Sequence, residues 1–301
     1  MEGKTNKKII ISNLMLILAS AIWGSCYVFQ KDVVSDIDPF LFMSCRSFLG
    51  AISMLPIILV AEKKSPTTYT PQIWKKLLCI ALFCGIINVS GSVLVQKGLL
   101  YTTASKAGFL TSIYIIFVPV LGRIIFKTKS TLTMWLGIIL AVVGLYQLCL
   151  TETLTINPGD LIILSSTLFF ATHIQLLSKL VHMFNGIHFS CTEFFFASAF
   201  CLICSLLFED PSFDQVLMCA PSILFAGVLG VGVCYMLQVT AQKYTNPTVA
   251  ALLMSLESVF GAVGGIIFLN ESFQMREIFG ILFIIAAIII AQLPMPQKKD
   301  K

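Results

Sequence analysis

Charge is what this sequence has least of. Asp, Glu, Lys and Arg make up 12% of its 301 residues, about half their share in an average soluble domain. A chain so poor in charge cannot clothe a water-facing surface, which excludes a soluble globule. It also has no H-E-x-x-H, G-x-S-x-G or G-x-x-x-x-G-K-[ST] stretch. Those absences remove the usual signatures of a zinc protease, a serine hydrolase and a phosphate-binding loop. The ten cysteines lie almost entirely in apolar stretches, where a thiol behaves as a small hydrophobe, so no disulfide framework is expected. Cys201 and Cys204 have C-x-x-C spacing without a second pair or a neighbouring His, and read as packing rather than a metal site. No cofactor is expected, and the net charge of +5 matters through its placement rather than as a sign of nucleic-acid binding.

What the chain does have is apolar length. Hydrophobic residues make up 57% of it and the mean hydropathy is +0.92. Ten apolar runs begin near Ile9, Pro39, Trp74, Ala104, Thr131, Gly159, Ile187, Pro221, Pro247 and Met275, each about 18–25 residues long, the length of a membrane-spanning helix. The expectation is an all-α integral membrane protein of ten transmembrane helices, with the lipid bilayer as its surroundings and no separate soluble domain. The first run follows Lys4, Lys7 and Lys8 but continues to Val28 without a small-x-small cleavage site, and is read as a retained span. With both termini cytoplasmic, fifteen of the twenty Lys and Arg fall on the inner connections, among them Lys63, Lys64, Lys75, Lys76, Arg123, Lys127, Lys129, Lys298, Lys299 and Lys301. That asymmetry orients the chain. The outer connections hold acidic residues such as Glu152, Asp160, Glu209 and Asp210. A bacterial plasma membrane is the expected location; oligomeric state is not legible.

The chain also repeats itself. Leu82-Phe83-Cys84-Gly85 returns as Leu224-Phe225-Ala226-Gly227, with Gln96 falling on Gln238; one residue further in offset, Tyr101-Thr102 falls on Tyr244-Thr245, Ser112 on Ser255 and Gly122 on Gly265. The boundary lies in the polar stretch Thr151 to Pro158, giving residues 1–150 and 151–301. Five spans per unit is an odd number, so the second unit enters the membrane in the opposite sense. Two inverted five-helix repeats are a transporter architecture with its site near the midplane; a duplicated scaffold is the alternative. Only about four residues join the spans at Leu100 to Thr103 and Lys243 to Asn246, with Thr103 and Asn246 placed to cap the next helix. Gly137 with Ala141, Gly261 with Gly265, Ala287 with Ala291, and Gly227, Gly230 and Gly232 read as packing surfaces.

Polar groups inside spans are costly in hydrocarbon and therefore mark candidate sites. Glu257 lies about ten residues into the ninth run, beyond snorkelling distance of water, and its repeat counterpart Tyr114 offers a hydroxyl at the same depth. Trp23 and Tyr27, one turn apart, line a cavity or simply pack. His173 carries protons or bonds a neighbouring carbonyl. Asn88 can hydrogen-bond across helices, while Gln96 and Gln238 read as helix-joining groups. Arg46 and Glu193 are near-equivalents in the two units, each within reach of water, with a structural or gating role weighed against substrate binding. The substrate-binding candidates are thus Glu257, Tyr114, Trp23, Tyr27, Asn88 and His173.

Gly98 to Ser112 and Ala241 to Glu257 resemble the two signature regions of the EamA-type drug/metabolite transporters. Ala21-Ile22-Trp23-Gly24, Arg46 with Ala51, and Asn270-Glu271 before Gly280 resemble further parts of that family's pattern. The resemblance implies ten helices, alternating access and a small organic substrate, commonly an amino acid or other polar solute, frequently exported. Two positions depart from the pattern: Ser258 stands where the family has Pro, and Asn270 where it has Gly. Loss of that Pro is expected to remove a helix distortion beside Glu257. The leading expectation is a secondary transporter driven by a solute or ion gradient, protons included, or by exchange. A channel or scaffold, and less readily an intramembrane enzyme, are the alternatives.

Overall fold

The computed structural model describes residues 2–128, 130–149, 157–269 and 275–293, and every regular element among them is helical. Lys129, Thr151, Glu152, Asn270, Glu271, Lys298, Lys299 and Lys301 lie outside the described residues, as do the side chains of Lys4, Ser105, Cys149 and Gly265. The first half comprises α1 (Glu2–Asp32), α2 (Pro39–Lys64), α3 (Pro71–Leu99), the pair α4 (Ala104–Ser112) and α5 (Tyr114–Ile125), and α6 (Leu132–Cys149). The second comprises α7 (Pro158–Leu180), α8 (Gly186–Phe208), a short α9 (Phe213–Met218), then α10 (Ala220–Leu224) and α11 (Cys234–Ala241) flanking a π-helical stretch Phe225–Val233. The pair α12 (Pro247–Met254) and α13 (Glu257–Leu269), and α14 (Met275–Gln292), complete it. Eight of these helical segments are long and apolar enough to cross a membrane; the apolar helices over Leu132–Leu148 and Pro247–Val263 are shorter than the ten-run reading expects.

The helix starts follow local chemistry. Pro39, Pro71, Pro158 and Pro247 open α2, α3, α7 and α12, where a missing N–H is harmless and φ is already helical. Thr103 Oγ1 accepts from Lys106 N at 3.2 Å, and Asn246 Oδ1 from Thr248 N at 2.9 Å, each meeting an otherwise unpaired N-terminal donor. The cap of α2 is tertiary. Glu209, just past α8, takes the amides of Phe40 and Leu41 at 2.8 and 3.0 Å, a carboxylate on the positive end of a helix. The short α9 was not expected, although Ser212 and Gln215 form a capping box that the spacing S-x-x-Q announces.

Helices pack as α2 on α8, α6 on α14, α3 on α7 and α8, and α1 on α13, α11 and the π-helical stretch. A Cβ on Gly144 would stand 2.7 Å from the Gly280 carbonyl oxygen, and one on Gly280 2.6 Å from that of Gly144. Backbones therefore touch along the α6–α14 seam, as close packing in lipid requires. Leu206, Leu207, Phe208 and Ile124 point outward and exposed, an apolar surface suited to hydrocarbon and too large for a water-soluble monomer.

Candidate functional site

Residues from both halves of the chain line one cavity in which polar and aromatic side chains converge, the usual make-up of a small-molecule site. One face of α1 contributes Trp23, Cys26, Tyr27 and Gln30, spaced at i, i+3, i+4 and i+7 so that all four fall on one helical stripe. Opposite stand Arg46 on α2, Asn88 and Ser92 on α3, Tyr114, His173 on α7, Tyr235 and Gln238 on α11, and Glu257.

Glu257 sits where a helix is interrupted. α12 ends at Met254 and α13 restarts at Glu257, just as α4 ends at Ser112 and α5 restarts at Tyr114. At both places the ladder tightens to three-residue spacing: Ile113 N bonds Leu110 O and Ile116 N bonds Ile113 O, while Leu256 N bonds Leu253 O and Ser258 N bonds Ser255 O. The expectation that losing the family Pro removes the distortion is therefore corrected. The helix is interrupted without Pro, and at the interruption Ser255 Oγ donates to Leu252 O at 2.8 Å, a hydroxyl competing for the helix's own carbonyls. The two interruptions meet, since Ser112 Oγ donates to Glu257 Oε1 at 3.5 Å and lies 3.0 Å from Ser258 Oγ.

Arg46, 7% exposed, donates through Nη1 to Gln30 Oε1 at 3.1 Å, and Gln30 Nε2 donates to Cys26 O at 3.2 Å. It does not snorkel to water. Among the described residues no carboxylate lies within 4.0 Å of Arg46 and no cation within 4.0 Å of Glu257. The cavity thus presents one guanidinium and one carboxyl group that do not answer each other.

Aromatic groups shape the remaining wall. Trp23 Nε1 donates to Gly230 O at 2.8 Å, within the π-helical stretch, and its ring meets Tyr235 edge-on at 5.2 Å. Tyr235 donates its hydroxyl to Asn88 Oδ1 at 3.1 Å. Among the described residues His173 bonds no carbonyl, contrary to one reading of the sequence; its Nε2 lies 2.6 Å from Glu193 Oε1. Glu193 is correspondingly fully buried rather than within reach of water, because α7 and α8 bring the imidazole to it. Gln96 is buried on α3 and donates to Gln30 O at 3.5 Å without lining the cavity, whereas Gln238 lines it with Oε1 unbonded. Sequence reasoning missed Gln30, Ser112, Ser258 and Tyr235; the i, i+7 relation of Trp23 to Gln30 is the signal that reaches the first of them.

Long apolar helices with exposed apolar faces, around a cavity that holds a few polar groups, define an integral membrane helical protein. The model of the EamA-like transporter family matches residues 10–150 and again residues 157–292, and the chain belongs to that family. An uncharacterized transporter from Archaeoglobus fulgidus is 28% identical over 295 residues, covering 97% of this chain and 89% of its own. The uncharacterized transporter YoaV of Bacillus subtilis is 23% identical over 292 residues, with 95% and 98% covered. A solved crystal structure superposes with a TM-score of 0.73 over 93% of this chain and 96% of that one at 12% identity, a likeness of fold alone.

Proposed function

We propose that the chain is a secondary transporter that carries a small zwitterionic or amine-bearing organic solute, such as an amino acid, by alternating access. The observation that carries this reading is the cavity itself, with the unmatched charges of Arg46 and Glu257 exposed to one enclosed space. A solute bearing both a carboxylate and an ammonium satisfies both, and the aromatic wall of Trp23, Tyr27, Tyr114 and Tyr235 suits its carbon part. Asn88, Gln238 and His173 add polar contacts.

Inverted five-helix units over residues 1–150 and 151–301 are supported by the symmetry of the packing. Exchanging the halves turns the α3–α7 contact into that of the α10–α11 segment with α1, and turns α5–α7 into α13–α1; α2–α8 and α6–α14 map onto themselves. Tyr114 and Glu257, repeat equivalents, each open the second part of an interrupted helix. Such units rock about a central site. Both termini lie on the cytoplasmic side of a bacterial plasma membrane in this reading, and the protein works without catalysis of its own.

The test is a thermal-shift screen of detergent-purified protein against amino acids, amines and organic acids, followed by counterflow in proteoliposomes. A ligand at 100 times its Kd stabilises by about 2.7 kcal/mol, so zwitterionic hits should stand out, and their flux should saturate and be trans-stimulated. Flux that never saturates would make the protein a channel. Absence of both ligand and flux would make it a scaffold.

A further inference from the structure

Behind the cavity wall lies a second carboxylate, to which the transport reading gives no task. Glu193 on α8 is fully buried, and its Oε1 lies 2.6 Å from His173 Nε2 on α7, a separation typical of a charge-assisted bond. Its other oxygen, Oε2, is buried without any hydrogen-bond partner, so among the described residues the carboxylate is answered by His173 alone. His173 lines the cavity. The imidazole therefore stands between the cavity and a carboxylate sealed behind it.

The surroundings contain few other groups that could take over the charge. Tyr235 faces the pair from α11, its ring 6.1 Å from that of His173 and 4.5 Å from that of Phe194. Cys84 on α3 lies within electrostatic reach of Glu193. Arg46 on α2, with Cys26, Tyr27, Tyr114 and Glu257, completes the titratable and charged groups that line the cavity among the described residues. The seam matters as well. A Cβ on Gly85 of α3 would stand 2.6 Å from the Glu193 carbonyl oxygen, so a first-half helix presses on α8 beside the pair and also packs on α7. Any change of charge here falls where the two halves meet.

We propose that the His173–Glu193 pair is the proton-binding site of this protein, separate from Glu257, and that its loading and unloading bias the two arrangements of the halves. This rests on the transport reading. In the unloaded form a neutral imidazole donates its Nε2–H to the Glu193 carboxylate, leaving one net negative charge. A proton from cavity water then adds to Nδ1, giving imidazolium paired with carboxylate and no net charge. It leaves through Nδ1 to water when the cavity faces the other side, one proton in and one out. A buried lone carboxylate and a neutral ion pair differ strongly in their desolvation, so this single proton changes the relative stability of any two states that hydrate the site differently.

Attenuated-total-reflection infrared titration of substrate-free protein in lipid reads the site directly. Wild-type protein should show a histidine ring protonation coupled to a carboxylate change. In a background carrying His182→Gln and His188→Gln, which also removes the His188–Glu62 pair, Glu193→Gln should displace that transition and remove the carboxylate change, and His173→Gln should remove the ring transition, while the coupled signal persists in Glu257→Gln. In proteoliposomes given an amino-acid mixture, Glu193→Gln should keep equal-pH counterflow but lose about tenfold or more of the accumulation driven by a pH gradient. If Glu193→Gln does not fold, Glu193→Ala supplies the same comparison. No titration of the pair in folded wild-type protein, a histidine transition unmoved by Glu193→Gln, or gradient-driven accumulation intact in both variants would overturn the assignment. Should no solute move in wild-type vesicles, the transport reading fails while the infrared titration still decides the proton site.

Discussion

Gly24 is where α1 comes closest to the interrupted helix that carries Glu257. A Cβ placed on it would stand 2.4 Å from the Glu257 carbonyl oxygen, 2.8 Å from the Gly261 amide nitrogen and 3.0 Å from Phe260 Cβ. The first two atoms are backbone and cannot rotate away. In Gly24→Ala, α1 must retreat from α13 by about 1 Å to reach ordinary van der Waals contact, and overpacking of this kind costs about 1–3 kcal/mol. Alanine offsets part of that, being worth about 0.8–1 kcal/mol more than glycine in a helix interior, so the net loss is up to about 2 kcal/mol. Gly108 is the control. A Cβ there would meet nothing nearer than Ser258 Oγ at 3.6 Å, so Gly108→Ala should be neutral or stabilising by up to about 1 kcal/mol from helix propensity alone. Thermal unfolding of the two variants in one detergent separates the cases: Gly24→Ala should melt a few degrees below wild type and Gly108→Ala at or above it. Gly24→Ala should also lose most of its counterflow, because the retreat alters the spacing between Trp23 and Glu257. A Gly24→Ala protein that melts and transports as wild type would refute the close approach and its coupling to the site.

Three further outcomes are expected. Glu257→Gln keeps the side-chain shape and removes the charge, so the protein should remain folded while affinity for amine-bearing solutes falls about tenfold or more; wild-type binding would return Glu257 to a packing role. Lys106 Nζ lies 2.6 Å from Asp160 Oδ2, linking α4 to α7 with little exposure; Asp160→Asn should destabilise by about 1–3 kcal/mol, and the loss should shrink when Lys106→Met is also present, as a double-mutant cycle in thermal unfolding will report. Single cysteines at Asp210 and Lys64 should show opposite accessibility to an impermeant maleimide in intact cells, the first labelled and the second protected; the reverse pattern would invert the proposed orientation.

Helix positions were legible because hydrocarbon imposes a length and a composition, and because Pro, Thr and Asn mark helix starts by supplying or omitting one hydrogen bond. Thr103 before Ala104 and Asn246 before Pro247 are examples, with both caps bonded as their spacing implies. Tertiary caps leave no such local trace. Glu209 closes the N-terminus of α2 from 168 and 169 residues away, and nothing in its own neighbourhood announces that. The π-helical stretch is similarly hidden: Gly227, Gly230 and Gly232 read as packing residues, but the acceptance of the Trp23 indole by Gly230 O depends on which helix lies alongside.

For the cavity, rarity of charge in the spans was the useful signal, and it singled out Arg46, His173, Glu193 and Glu257. Pairing was not legible, because it depends on how helices face one another. Arg46 and Glu193 hold similar places in the two repeats, yet the first turns to the cavity and Gln30 while the second turns away from it to His173. The same limit applies to Ser258. A rule tied to Pro predicts a straight helix, whereas the helix is interrupted without one at Ser255 and again at its repeat partner Ser112. Proline removes one amide from the ladder; a buried serine can instead divert one carbonyl, as Ser255 does at Leu252. Either route interrupts the helix, and at both interruptions the residue that restarts it, Tyr114 in one half and Glu257 in the other, lines the cavity.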